Sequence, residues 1–295
     1  MPGTPFSTTL LEPALAKAPH ALPFLRTIVP HEPHTDDALL EHLVAASRAA
    51  YADVDYPCLI MFLHLQFGIA MHPAYALVEQ LAASSSAEQV ALDVGCALGS
   101  DARWLAHHGW HGRAVGAELR PVLLEHGHKL FRDDAESCGV RFLLGDLFDA
   151  AFLGTGASAT SDSLSALSGR VRVLYAASLF HLFDAEAQQQ LARHFGALLA
   201  PGTAAAPSLV LGRQIALPSP GTWATADGVH SSLVANRWAH NEASFEALWR
   251  TALPDKHVKV ETTRQEFSEQ EKQGAKHFRR EDTFFLVWSV QVWDK

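Results

Sequence analysis

No run in this chain is both long and apolar enough to cross a bilayer. The most apolar stretch, Cys58–Met71, is interrupted by His64 and Gln66 and falls short of the roughly 20 residues a spanning helix needs. A basic cluster is missing too. The net charge is −9, with 23 Lys and Arg against 32 Asp and Glu, so the electrostatic footprint of a nucleic-acid binder is absent. Cysteine is scarce: Cys58, Cys96 and Cys138 are odd in number and scattered. That excludes a disulfide framework and fits a reducing, cytoplasmic setting. Neither Cys-x-x-Cys nor His-Glu-x-x-His occurs, so no metal site is expected. The opening MPGTPFSTTLLEP lacks the basic start and continuous apolar core of a signal peptide, and none is expected. What remains is 295 residues, 48% hydrophobic and 19% charged, ample for a large packed α/β domain with an elaborated end.

The most informative stretch is Val90–Gly99, VALDVGCALG. A buried strand ends in a glycine-rich turn that opens an amphipathic helix, the layout of a nucleotide cradle. A dinucleotide site expects Gly-x-Gly-x-x-Gly around a pyrophosphate. Here the spacing is Gly95-x-x-x-Gly99, preceded by Asp93. That pattern suits a phosphate-free nucleoside whose charged tail is an amino acid.

Residues 1–34, rich in Pro, Thr and His, read as an extended arm. Thr35 caps a helix with Asp36 and Asp37 in its first turn. A second helical stretch runs over Leu59–Ala83 with a break near Pro73. From Val90 strands and helices alternate. The strands are Val90–Val94, Arg113–Glu118, Val140–Leu144, Val171–Ala176, Ser208–Arg213, His257–Thr263 and Thr283–Val292. The helices are Asp101–His108, Pro121–Cys138, Asp184–Leu199 and Glu242–Thr251, and Gly154–Gly169 reads as a loop. This alternation predicts a mostly parallel sheet covered on both faces. Residues 1–86 form the arm and a helical cap, and 87–295 the binding domain.

In such sheets the ligand lies beyond the carboxyl ends of the strands. Gly95–Gly99, Glu118-Leu119, Asp146–Phe148 and Ala177–His181 should therefore converge. Glu118 can accept both ribose hydroxyls, or stand as an exposed charge before a helix. Asp146 can bond an adenine amino group while Leu147 and Phe148 flank the ring, or cap a helix. Asp93 can act on the ligand's ammonium or orient the turn.

Asp93-x-Gly95-Cys96-x-x-Gly99, Glu118-Leu119, Gly145-Asp146-x-Phe148 and the SLFHLF of Ser178–Phe183 together resemble the class I S-adenosylmethionine-dependent methyltransferases over residues 88–215. YPCLIMFLHL, HPAY, the Asp93–Trp110 segment, Ala177–Gly202 and RWAHNEASFEALW resemble the fungal O-methyltransferases of meroterpenoid and terpenoid biosynthesis. The resemblance implies a Rossmann-like, seven-stranded sheet with an antiparallel last strand and an N-terminal helical cap. It also implies S-adenosylmethionine as cofactor, bound by Asp93, Gly95, Cys96, Gly99, Glu118, Leu119, Asp146, Leu147, Phe148, Ala177 and Ser178, and a small lipophilic acceptor. Glu118 stands where Asp is common in that group, Gly154–Gly169 looks long, and APGTAAAPS replaces a Pro-Gly-Gly turn.

A carboxylate acceptor arrives ionised and asks for orienting donors, whereas a phenol needs a proton acceptor. His181, just after the fourth strand, is the candidate to face the methyl group or to pack beneath the cofactor. Tyr56, His64, Arg213 and His240 are candidates for the acceptor side, and Phe62, Phe67, Trp223 and Trp238 for its apolar walls. Three functions stay open: an O-methyltransferase on a carboxylate or phenol, a C-methyltransferase of the same fold, and a non-methylating cofactor-binding regulator or cyclisation catalyst.

Overall fold

A computed structural model describes residues 6–30, 34–153, 161–222, 237–267 and 282–295. Trp223 and the 154–160 part of the expected loop lie outside these residues. Five strands, β1 (Val90–Val94), β2 (Ala114–Glu118), β3 (Val140–Leu144), β4 (Val171–Tyr175) and β5 (Ser208–Ala216), pair in parallel. A two-residue ribbon, β6 (Gly221–Thr222) with β7 (Trp238–Ala239), follows. Then come β8 (Lys256–Gln265) and β9 (Phe284–Asp294). The main sheet runs β3-β2-β1-β4-β5-β9-β8, with β9 antiparallel to both neighbours. The expected seven strands and antiparallel last strand are therefore present, and β1 and β4 start neighbouring crossovers in opposite directions, which places the switch point between them.

Ten helices of the described residues cover the sheet. The first five precede it: α1 (Thr8–Ala16), α2 (Ala21–Ile28), α3 (Asp36–Val54), α4 (Pro57–Ile60) and α5 (Tyr75–Ser84). Between and after the strands lie α6 (Ser100–His107), α7 (Pro121–Phe131), α8 (Ala150–Leu153), α9 (Ala185–Leu198) and α10 (Glu242–Ala252). Alternation along the strands feeds two cores. Ala91, Val173, Leu209 and Leu211 face one, with α6, α7 and the N-terminal helices. Val90, Leu92, Leu174 and Val210 face the other, with Leu191 and Phe195 of α9 and Phe245 and Trp249 of α10. The cap has no separate core: Leu11, Leu25, Leu39 and Leu43 join the first of these clusters.

Three expectations need correction. Residues 1–34 are not an extended arm, because α1 and α2 bury Leu11, Ala14 and Leu15, then Ala21, Phe24 and Leu25. Those spacings of three and four form a helical stripe. Pro23 falls in a first turn, where its missing N–H is harmless, while Pro13 lies inside α1. Leu59–Ala83 is not one helix with a single break. It is α4, two 3-10 turns at Leu63–Leu65 and Gly68–Met71, and α5. Phe62 and Phe67 interrupt it at φ 53° and 48°, a strained conformation held by full burial of both rings. The helix from Pro121 stops at Phe131 rather than Cys138, because Arg132 turns left-handed at φ 52°.

Candidate active site

The β1–α6 turn is built by its glycines, but not in the way the spacing alone implies. Gly95 and Gly99 adopt φ 68° and 72°, and a Cβ on Gly99 would stand 2.6 Å from the Phe142 ring. The turn's amides are mostly used internally. Those of Gly95 and Cys96 donate to the Ala117 carbonyl, that of Gly99 to the Cys96 carbonyl, and that of Ala97 to Glu118 Oε2 at 2.9 Å. The Cys96 side chain is buried, its Sγ beside Gly116 of β2. Behind the turn, buried Arg103 donates to the Leu98 and Gly99 carbonyls and forms a two-pronged pair with Asp133 at 2.6 and 2.7 Å. Glycine here supplies backbone shape, and Arg103 fixes it.

Glu118 is buried rather than an exposed charge. Its Oε1 accepts the amides of Leu119 and Arg120 at 2.8 and 3.0 Å, so one carboxylate ties the end of β2 to the β1–α6 turn. Leu119 beside it is 59% exposed, an apolar surface at the mouth of the crevice. Leu144 at the end of β3 is exposed as well. Asp146 accepts the Phe148 amide at 2.9 Å in a tight turn, Leu147 packs on the second core, and the Phe148 ring meets Phe183 edge-on at 5.0 Å.

Asp93 at the end of β1 is buried, and its carboxyl is held well above the ordinary range by burial and by the neighbouring Asp101 and Glu118 charges. Asp101 in the first turn of α6 accepts the Ile69 amide of the cap at 2.9 Å. Burial pushes its carboxyl up to about 6. Adjacent Ser100 is buried, and its hydroxyl has no hydrogen-bond partner among the described residues. Three carboxyl groups around one turn repel a pyrophosphate and favour a ligand bearing a cation. These acceptors fit the ammonium and ribose hydroxyls of S-adenosylmethionine, which donate.

The opposite wall carries the positive charge. Arg213 on β5 lies over the Phe285 ring at 4.7 Å, and no hydrogen bond or ion pair holds its guanidinium among the described residues. Its charge reaches Cys58, Asp101, Tyr175 and His181. Ser178, at φ 56°, donates its amide to the Arg213 carbonyl and follows half-buried Ala177. The cap closes over this corner. The Tyr56 ring lies 5.3 Å from the Arg120 guanidinium, and its phenol is raised by burial and by the Glu118 charge. Burial pushes the Cys58 thiol up to about 11.

Of the three candidate histidines, His181 and His240 are buried and His64 is half-buried. His181 Nδ1 accepts the Ile215 amide at 3.4 Å, and burial lowers the ring to about 3, with Arg237 and Arg213 adding to the shift. His64 Nε2 bonds the Ser47 hydroxyl of α3 at 2.9 Å, inside the cap, and burial lowers it to about 4. His240 Nδ1 bonds Ser244 Oγ at 2.9 Å beside the Asn241 capping box of α10, and it too is lowered to about 4 by burial. The sequence reading missed Asp101 and Tyr175. Asp101 reads as an ordinary first-turn acid. Tyr175 reads as core, although a polar tip closing the buried VRVLY strand at the crevice was a usable signal. Among the described residues no cluster suits a metal ion.

No family model matches the chain. Sequence relatives do. O-methyltransferase phiE of a fungal species is 28% identical over 236 residues, covering 80% of this chain and 72% of the relative. The asnovolin E/chermesin D methyltransferase nvfJ of Aspergillus novofumigatus is 32% identical over 181 residues, 60% of this chain and 59% of the relative. Phosphoethanolamine N-methyltransferase 2 of Haemonchus contortus, solved with S-adenosylhomocysteine, superposes with a TM-score of 0.50 at 12% identity, over 79% of this chain and 58% of that one. The fold is that of the class I methyltransferases, and the sequence relatives are named methyltransferases of fungi. The chain spans just under three fifths of two of these three proteins and about seven tenths of the other. The methyltransferase sheet order, 3-2-1-4-5 followed by an antiparallel hairpin, is the one described above.

Proposed function

We propose that this methyltransferase binds S-adenosylmethionine at the β1–β4 switch point and methylates a carboxylate oxygen of a small lipophilic acceptor. The cofactor supplies an activated methyl on a sulfonium, transferred by in-line displacement. The chain's residues supply position and a dry pocket. Glu118 meets the ribose, Asp93 and Asp101 the ammonium, Asp146 the adenine edge, and Leu119, Leu147 and Phe148 the ring faces. Gly95, Cys96 and Gly99 shape the floor, while Ala177 and Ser178 border the transferring end.

The observation that carries the acceptor class is Arg213. A half-buried guanidinium with no carboxylate partner of its own, on the wall facing the acidic turn, is a site for an acceptor carboxylate. These histidines support the same reading. Rings lowered to about 3 or 4 are weak bases at neutral pH, and a carboxylate needs none. Tyr56 and the buried Phe62 and Phe67 supply apolar cover, as a lipophilic acceptor requires. The relatives named as O-methyltransferases, phiE and atr3 of Stereocaulon alpinum, favour oxygen. Arg213→Met should raise KM for a prenylated aromatic acid about tenfold to a hundredfold, the scale of a lost charge-assisted hydrogen bond. Cofactor affinity should stay within twofold. An unchanged KM removes Arg213, and the carboxylate, from this reading.

A further inference from the structure

Tyr175 closes β4 between the two charged walls. Its ring is buried, 3% exposed. Its electrostatic neighbours are Asp101 and Asp93 on one side and Arg213 on the other. No hydrogen bond reaches its hydroxyl among the described residues. Above it stands Gly68 of the cap, in the 3-10 turn Gly68–Met71. A Cβ on Gly68 would come 2.7 Å from the Tyr175 hydroxyl oxygen and 4.0 Å from the ring carbon that bears it. The glycine leaves room for that one oxygen. The next cap residue, Ile69, donates its amide to Asp101 at 2.9 Å, so cap, acid and phenol meet at one place.

The ring is packed away while the hydroxyl at its tip has no partner among the described residues, and that tip lies between the acidic turn and the Arg213 guanidinium. We propose that Tyr175 is an acceptor-positioning residue: its hydroxyl donates a hydrogen bond to the acceptor's carboxylate beside Arg213, and Gly68 is the space that hydroxyl requires. This rests on the carboxylate reading above. Two donors from one wall, a phenol and a guanidinium, fix the plane of a carboxylate, which a guanidinium alone leaves free to rock. Burial holds the phenol protonated, so it acts as a donor and takes no proton from the acceptor.

The test is a two-by-two set of full-length variants: wild type, Tyr175→Phe, Gly68→Ala and the double variant. Each is assayed with labelled S-adenosylmethionine and a prenylated dihydroxybenzoic acid. Tyr175→Phe keeps the ring, so thermal stability should be unchanged or higher. KM for the acid should rise about tenfold and affinity for S-adenosylhomocysteine should stay within twofold. Gly68→Ala should impair the wild-type background by displacing the hydroxyl, yet change little in the Tyr175→Phe background, where ordinary contact remains. Equal effects of Gly68→Ala in both backgrounds, or a Tyr175→Phe enzyme with unaltered KM, overturn the assignment while leaving the carboxylate reading intact. A wild-type enzyme that methylates no acid overturns that reading and this assignment with it.

Discussion

Glu118 shows how far a single residue can be read in advance. Its place at the end of β2, 23 positions after Gly95, suggests a ribose acceptor, a role the proposed function carries forward. Its three backbone amides were not legible, because they depend on where the neighbouring turn lies in space. Glu118→Ala should therefore weaken S-adenosylhomocysteine binding by roughly 1–3 kcal/mol and also loosen the turn. Glu118→Gln keeps an amide-accepting oxygen and should preserve stability better than binding. Calorimetry on both variants decides this, and unchanged affinity in both contradicts the ribose assignment. Asp101 adds a pH dependence. Its carboxyl, raised to about 6, is protonated below that value and then no longer attracts an ammonium. Cofactor affinity should fall as pH drops through about 6, and Asp101→Asn should flatten that profile. The sign for folding is opposite. A raised carboxyl favours the ligand-free fold below its unfolded value near 4, and that contribution is lost as pH climbs to about 6. The histidines should add no inflection near 6.5, because burial keeps them neutral there. A rising limb in rate at that pH would instead point to a histidine base and a phenolic acceptor.

At the scale of elements, β1, β2 and β4 were readable because both their faces are covered and each is a short, mostly apolar run. The turn after β1 was readable because glycine positions announce a change of backbone region. The cap was not. Phe62 and Phe67 adopt left-handed backbone that nothing in their residue type signals, and only their buried rings explain it. Helix starts fared better. Thr35 Oγ1 accepts the Ala38 amide at 3.3 Å and Asp184 Oδ1 the Ala187 amide at 2.8 Å, as residues of those types do. The β1–α6 turn depends on a partner remote in sequence, the Arg103–Asp133 pair. Asp133→Ala strands a guanidinium that is 2% exposed, so denaturant unfolding should show a loss of about 3–5 kcal/mol. Cofactor affinity should fall with it, because Arg103 also holds the Leu98 and Gly99 carbonyls. A loss under 1 kcal/mol would mean the turn is fixed by its own hydrogen bonds alone.

Across the whole molecule, the N-terminal helices and the sheet share one core, and the cap reaches the crevice through Tyr56, Cys58, Gly68 and Ile69. His72 adds a strut from cap to sheet, its Nε2 donating to the Trp288 carbonyl at 3.0 Å. Periodicity could place helices before the sheet, but not which of their residues would lean over the strand ends, since that follows from packing between distant segments. The resulting chamber has acid on one wall, a guanidinium on the other and apolar residues above. On the function proposed above, that arrangement would bring a cationic methyl donor against an anionic oxygen. The most direct test treats purified protein with methyl-labelled S-adenosylmethionine and a prenylated dihydroxybenzoic acid, then exposes the product to mild alkali. The account predicts one methyl transferred per S-adenosylhomocysteine released, with the label liberated as methanol because it sits in a methyl ester. Label that survives alkali, as an aryl ether or a carbon-bound methyl, or cofactor binding with no transfer, would contradict it.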